Sequence, residues 1–179
     1  QYSNKSFNHS SRLLKDFESA FYNYNAALKI YLNKYGENSK QVATIYHDFA
    51  EFYRDQKNYD EAIRYNKKAL AIRKIFKEDK PALADCINDT GVLISESSND
   101  EDLLPYYEEA LKLFKEYYGE KHYDIAAVYG NLGNYYLYNT NGSEKIEIAS
   151  GYFERAYKMA IEFRVVHHPQ VGVLRRQLI

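Results

Sequence analysis

The sequence predicts an all-α solenoid of antiparallel helical hairpins, and three observations carry that prediction. Residue pairs seven apart recur at Ala20/Ala27, Ala62/Ala69 and Ala149/Ala156, with Leu103/Ala110 between the last two. Some sixteen positions after each pair another small residue follows, at Ala43, Ala84, Ala126 and Gly172, spaced by 41, 42 and 46 residues. Between these landmarks the apolar residues fall at helical spacing. A fixed period of about 20–50 residues marks stacked supersecondary units rather than one globular core.

The elements follow in order. Residues 1–10 are polar and are expected to be loose or the remnant of a preceding helix. An initial helix is expected over 11–35, with Gly36 just past its end. The first hairpin spans 39–76. Ser39 caps its first helix, whose stripe is Ile45, Tyr46, Phe49, Ala50, Phe52 and Tyr53; the turn Lys57-Asn58 leads to a second helix striped by Ala62, Ile63, Tyr65, Ala69, Leu70 and Ile72. The second hairpin spans 81–118, opens on Pro81 in a favoured first-turn position, turns at Ser98-Asn99 and ends at Gly119. Pro105 would fall inside its second helix, so that helix is expected to start late, capped by Asp100 or Asp102, or to kink. The third hairpin spans 123–166, with an insertion of four residues in the loop around residues 139–143. A partial helix, 169–179, begins at Pro169. Because the chain opens on Gln1 and closes inside this last helix, it reads as a piece of a longer protein.

Small side chains recur where helices must approach. Ala50, Gly91 and Gly133 hold the same place in the first helix of successive units, as Ala62 and Ala69 do in the second helix of the first hairpin. Larger side chains there are expected to overpack the stack.

Composition narrows the function classes. Of 179 residues 45% are hydrophobic and 27% charged, with 24 basic against 25 acidic side chains, which argues against a nucleic-acid-binding face. No apolar run is long enough to insert into a membrane, and a reducing, cytoplasmic setting fits the single Cys86. Sequons at Asn4, Asn8, Asn88 and Asn141 are short enough to arise by chance. The 20 tyrosines, with no tryptophan, are expected mainly to fill the aromatic slots of the repeat.

These residues resemble the tetratricopeptide repeat. Its pattern of a large residue, Leu-Gly or Leu-Ala, an aromatic, and two alanines flanking an aromatic is met by Tyr46, Phe49-Ala50, Tyr53, Ala62 and Ala69, where Asn66 departs from the aromatic slot. It is met again by Tyr129, Leu132-Gly133, Tyr136, Ala149, Phe153 and Ala156, and more weakly by Ile87, Thr90-Gly91, Ile94, Leu103, Tyr107 and Ala110. The period looks like the long-helix variant of kinesin light chains, which "NYDEAIRYNKKALAIRKIF" and "YGNLGNYY" also resemble; the resemblance covers residues 13–179. The paired asparagine of that subgroup is incomplete: Asn88-Asp89 has one, Gly130-Asn131 the other, His47-Asp48 neither.

The resemblance implies a right-handed superhelix whose first helices line a concave groove for a partner peptide. Counted by phase, the groove positions are His47, Asp48, Glu51, Arg54 and Asp55 in the first hairpin, and Asp85, Asn88, Asp89 and Glu96 in the second. Asn131, Asn134 and Tyr138 belong to the third, with Arg176 and Gln177 in the incomplete fourth. The first two hairpins are acidic and the third amide-rich and aromatic, so a basic segment is expected at the N-terminal half. Asparagine amides both donate to and accept from an extended peptide backbone.

No chemistry competes with this reading. Cys86 with His122 makes a poor nucleophile and base, His167-His168 lacks further ligands at metal spacing, and paired carboxylates such as Asp60-Glu61 suit helix N-termini. No catalytic or metal-ligating set and no cofactor is expected. The expected function is a non-catalytic adaptor or scaffold. Its rivals are self-association through apolar end faces (Phe17, Phe21 and Tyr24 at one end, Val173 and Leu174 at the other) and a regulatory segment of a larger enzyme.

Overall fold

In the computed structural model, which describes residues 3–97, 101–139 and 144–162, the chain forms seven helices: α1 (Ser3–Tyr35), α2 (Lys40–Asp55), α3 (Tyr59–Arg73), α4 (Lys80–Glu96), α5 (Leu104–Tyr118), α6 (Tyr123–Asn139) and α7 (Glu144–Glu162). There is no strand among the described residues. Helices pack in chain order, with α2–α3, α4–α5 and α6–α7 as hairpins. The loop that carries the four-residue insertion, past Asn139 at the end of α6, lies outside the described residues, as do the partial helix with Arg176 and Gln177, and Val173 and Leu174.

Local chemistry sets the boundaries. Helix α1 starts at Ser3 rather than near residue 11, because neither glycine nor proline interrupts the chain before Gly36. Gly36 and Gly119 each take φ +78°, a conformation that a Cβ opposes. Ser39 Oγ accepts the Val42 N–H at 3.3 Å and Asn58 Oδ1 that of Glu61 at 3.4 Å, satisfying donors the first turns leave open. Ser39→Ala is expected to cost about 1 kcal/mol, visible as a melting temperature lower by roughly 3 °C. Helix α5 does start late: Pro105 lies in its first turn, and Asp102 Oδ1 accepts the Leu104 N–H at 3.1 Å.

Packing explains the small residues. Ala62, Ala69, Ala110 and Ala156 are completely buried. A Cβ on Gly91 would lie 2.8 Å from Tyr107 Cε1, and one on Gly133 would lie 2.5 Å from Phe153 Cε1. An aromatic ring of the second helix therefore rests on bare backbone of the first.

Tyrosines form a repeated layer. Tyr65 stacks on Tyr53 (5.4 Å, 14°) and lies 6.1 Å from Tyr46, with Lys68 over both Tyr46 and Tyr65. Two units later Tyr152 stacks on Tyr136 (5.5 Å, 13°) and lies 6.0 Å from Tyr129, with Arg155 over both Tyr129 and Tyr152. Each layer joins aromatic burial to a cation–π contact at its wet edge.

Phe17, Phe21 and Tyr24 pack on Phe49 and Phe52 of α2 at centroid distances of 5.4–6.1 Å, while Phe21 stays 41% exposed. The helical phase of α1 turns them toward the first hairpin. Tyr22 and Ile30 are the more exposed large side chains of α1.

Candidate functional site

The repeat length builds the site. Residues about one period apart occupy equivalent turns of successive first helices, so their side chains meet across α2, α4 and α6. Arg54 donates to Glu96 through Nε (2.8 Å) and Nη2 (2.6 Å), the fork geometry that favours arginine–carboxylate pairing. His47 Nε2 lies 3.1 Å from Asp89 Oδ2. Asn131 Nδ2 donates to Asn88 Oδ1 at 2.8 Å.

Around these rungs runs a groove of about 510 Å³. Arg54 contributes from α2; Asn88, Asp89, Val92, Ser95 and Glu96 from α4; Ala127, Asn131, Asn134, Tyr135 and Tyr138 from α6; Leu103 and Tyr107 close one wall. A much narrower cleft of about 10 Å³ adjoins it between α2, α3 and α4, lined by His47, Ala50, Glu51, Arg54, Asn66, Asp89 and Leu93. Arg54 and Asp89 belong to both.

Burial and crowding set the electrostatics. Asp89 is pushed up to about 7, first by burial and then by Asp85 and Glu51, with Arg54 opposing. Asp85 is held up to about 6 by burial and by Asp124, with Arg73 opposing. His47 is lowered to about 4 by burial, with Arg73 adding to the shift. The His47–Asp89 contact therefore joins a neutral imidazole to a carboxyl group, not two full charges. Burial disfavours the charged form of each.

Seven of the twelve sequence-derived positions line the groove: Arg54, Asn88, Asp89, Glu96, Asn131, Asn134 and Tyr138. His47 and Glu51 line the adjoining cleft. Asp85 lies one turn before Asp89 on α4 and within its field. Asp48 and Asp55 line neither the groove nor the cleft; both act on Tyr24 of α1, as Glu51 does, and Asp48 also lies in the field of Arg73.

Sequence reasoning missed four residues. Arg73 comes from a second helix, yet it reaches the carbonyl of Ala82 and acts on His47, Asp48 and Asp85. Tyr107, Tyr135 and Asn66 also come from positions that helical phase alone assigns to packing. Cys86 is completely buried, its thiol pushed up to about 12 by that burial, which suits a packed side chain rather than a nucleophile. Among the described residues no three His, Cys, Asp or Glu side chains converge to hold a metal ion, and no helix is long and apolar enough to cross a membrane.

Stacked helical hairpins around a polar groove define a helical-repeat protein. The tetratricopeptide repeat model matches residues 9–75 and 41–102, more than half the chain, and the chain belongs to that family. Among solved structures it is similar to BtubC (BKLC) from P. vanneervenii, with 23% identity and a TM-score of 0.75, covering 93% of this chain and 65% of that one. It is also similar to the nearly identical TPR-like repeats of a kinesin light chain candidate from Podosopora anserina, with 12% identity and a TM-score of 0.68, covering 95% and 79%. At these identities the likeness is one of fold. No curated protein matches the chain in sequence.

Proposed function

We propose that this chain is a non-catalytic interaction module, in keeping with the protein–protein interaction that tetratricopeptide repeats generally mediate, and that it takes an extended, basic segment of a partner protein into the groove between α4 and α6. The observation that carries the reading is the gathering of Glu51, Asp85 and Asp89 at one end, where burial and mutual repulsion hold two carboxyls above their usual range. A cation placed there relieves both effects. Toward Tyr138 the Asn88, Asn131 and Asn134 amides supply paired donors and acceptors suited to a peptide backbone.

The test is capture on a peptide array graded in charge, read at about 50 and 300 mM salt. Salt-sensitive capture of basic peptides supports the proposal. Indifference to peptide charge, or no capture at all, overturns it; concentration-dependent mass in the latter case points to self-association.

Two further outcomes are expected. Affinity for a basic peptide should rise between pH 5 and 8 as Asp85 and then Asp89 lose their protons, and level off above. His47, lowered to about 4, stays neutral over that window and does not offset the gain. Isothermal titration at four pH values checks this. Arg54→Gln removes the groove's own cation and frees Glu96, so it should tighten a basic peptide severalfold, by roughly 1 kcal/mol.

A further inference from the structure

Two core slots of the first and second hairpins depart from their counterparts together. Phe153 in α7 and Tyr107 in α5 are buried aromatic residues that rest on Gly133 and Gly91. The same slot in α3 is Asn66, opposite Ala50. Thr90, in α4, stands where the other first helices carry Phe49 and Leu132. Both polar residues are almost wholly buried, at 1% and 2% exposure.

Their hydrogen bonds are asymmetric. Asn66 Nδ2 donates to the Cys86 carbonyl and to Thr90 Oγ1, each at 2.9 Å, and the Thr90 hydroxyl donates to the same carbonyl at 2.8 Å. A carbonyl only accepts, so the amide nitrogen must face α4. Both amide hydrogens are thus used, and Asn66 Oδ1 is left buried with no partner. A buried orphan acceptor is costly unless a donor reaches it.

Asn66 lines the narrow cleft, together with Glu51, Arg54 and Asp89. His47 Nδ1, also buried and unpartnered, belongs to a residue of the same wall. Acceptors therefore outnumber donors in the cleft, since Arg54, the cation of its lining, gives Nε and Nη2 to Glu96. Its volume, about 10 Å³, admits one water-sized group. A primary ammonium has that size and carries three donors, whereas a guanidinium is a larger planar fork.

We infer that the cleft between α2, α3 and α4 is a lysine-specific subsite, in which the ammonium of one lysine of the bound segment meets Asn66 Oδ1 and the carboxyl groups of Asp89 and Glu51. This rests on the groove reading above and adds a side-chain preference to it. The lysine stem leaves through the mouth that Arg54 and Asp89 share with the groove.

The experiment compares blocked decapeptides of serine and alanine carrying three lysines, three arginines or three acetyl-lysines, by fluorescence anisotropy. Wild-type protein should bind the lysine peptide at least about tenfold tighter than either of the others. A variant that rebuilds the slots as in the third hairpin, Ala50→Gly with Asn66→Phe and Thr90→Leu, should bind lysine and arginine peptides equally. Equal salt-sensitive binding of lysine and arginine peptides by wild type would overturn the subsite, leaving a water as the cleft's occupant and the groove reading intact. A lysine preference that survives in the rebuilt variant would also overturn it. Failure to bind any of the three removes both readings. The wild-type comparison decides the matter even should the variant not fold.

Discussion

Replacing Asp85 and Asp89 together by asparagine should weaken a basic peptide at least ~30-fold while making the protein more stable at alkaline pH. The first effect follows from removing the two carboxyls that a bound cation would pair with, a loss on the order of 2 kcal/mol for partly desolvated charges. The second follows from linkage. An aspartate raised above its unfolded value binds more protons folded than unfolded, so its favourable contribution is complete below about pH 4 and is lost as pH rises through the folded value, about 6 for Asp85 and about 7 for Asp89. His47 shifts the other way: lowered to about 4, it penalises the folded state at low pH, and that penalty fades as pH rises toward about 6.5 and is absent above. Above pH 7 only the aspartate penalty remains, and the double variant should gain on the order of 2 kcal/mol there. Denaturant titration at pH 5 and 8 checks the stability effect. A double variant less stable than wild type at pH 8 would mean that these carboxylates support the fold. A change that strengthens the fold and disables recognition marks residues kept for binding.

Gly133→Leu should be the most damaging single substitution in the described stack. Even the first added carbon would sit 2.5 Å from Phe153 Cε1 and 2.7 Å from Cδ1. Phe153 is 2% exposed, held between α6 and α7, and has nowhere to swing. Overpacking of this kind costs about 3 kcal/mol, a fall in melting temperature of roughly 8 °C for a chain of this size. Gly151 is the internal control. A Cβ there meets nothing within 4 Å, so Gly151→Ala in the interior of α7 should stabilise by about 0.5–1 kcal/mol. Calorimetry on the two variants separates close packing from a general need for glycine.

The fold was legible because its strongest constraints are local and periodic. Ala62, Ala69, Gly91 and Gly133 mark helix approaches that no larger residue permits, and Ser39, Gly36 and Gly119 mark ends through capping and φ. Equivalent turns one period apart also gave the groove positions Asn88, Asp89, Glu96 and Asn131. Phase within a helix does not reveal which inward positions a cavity reaches, and Asp48 and Asp55 line neither the groove nor the cleft. Arg73 escaped because a long side chain crosses from a second helix to a first. Asn66 was visible as a departure from the aromatic slot, but its orphan oxygen emerges only from the partners of its nitrogen on α4.

The most direct measurement is heteronuclear NMR of the labelled protein during addition of a decapeptide rich in lysine and arginine. The side-chain amides of Asn88, Asn131 and Asn134 should shift in step with the backbone of α4 near Asp89, saturating at one peptide per chain. Shifts confined to the outer face of α1 around Tyr22 and Ile30, or an unperturbed groove, would contradict the proposal that this groove receives a basic segment.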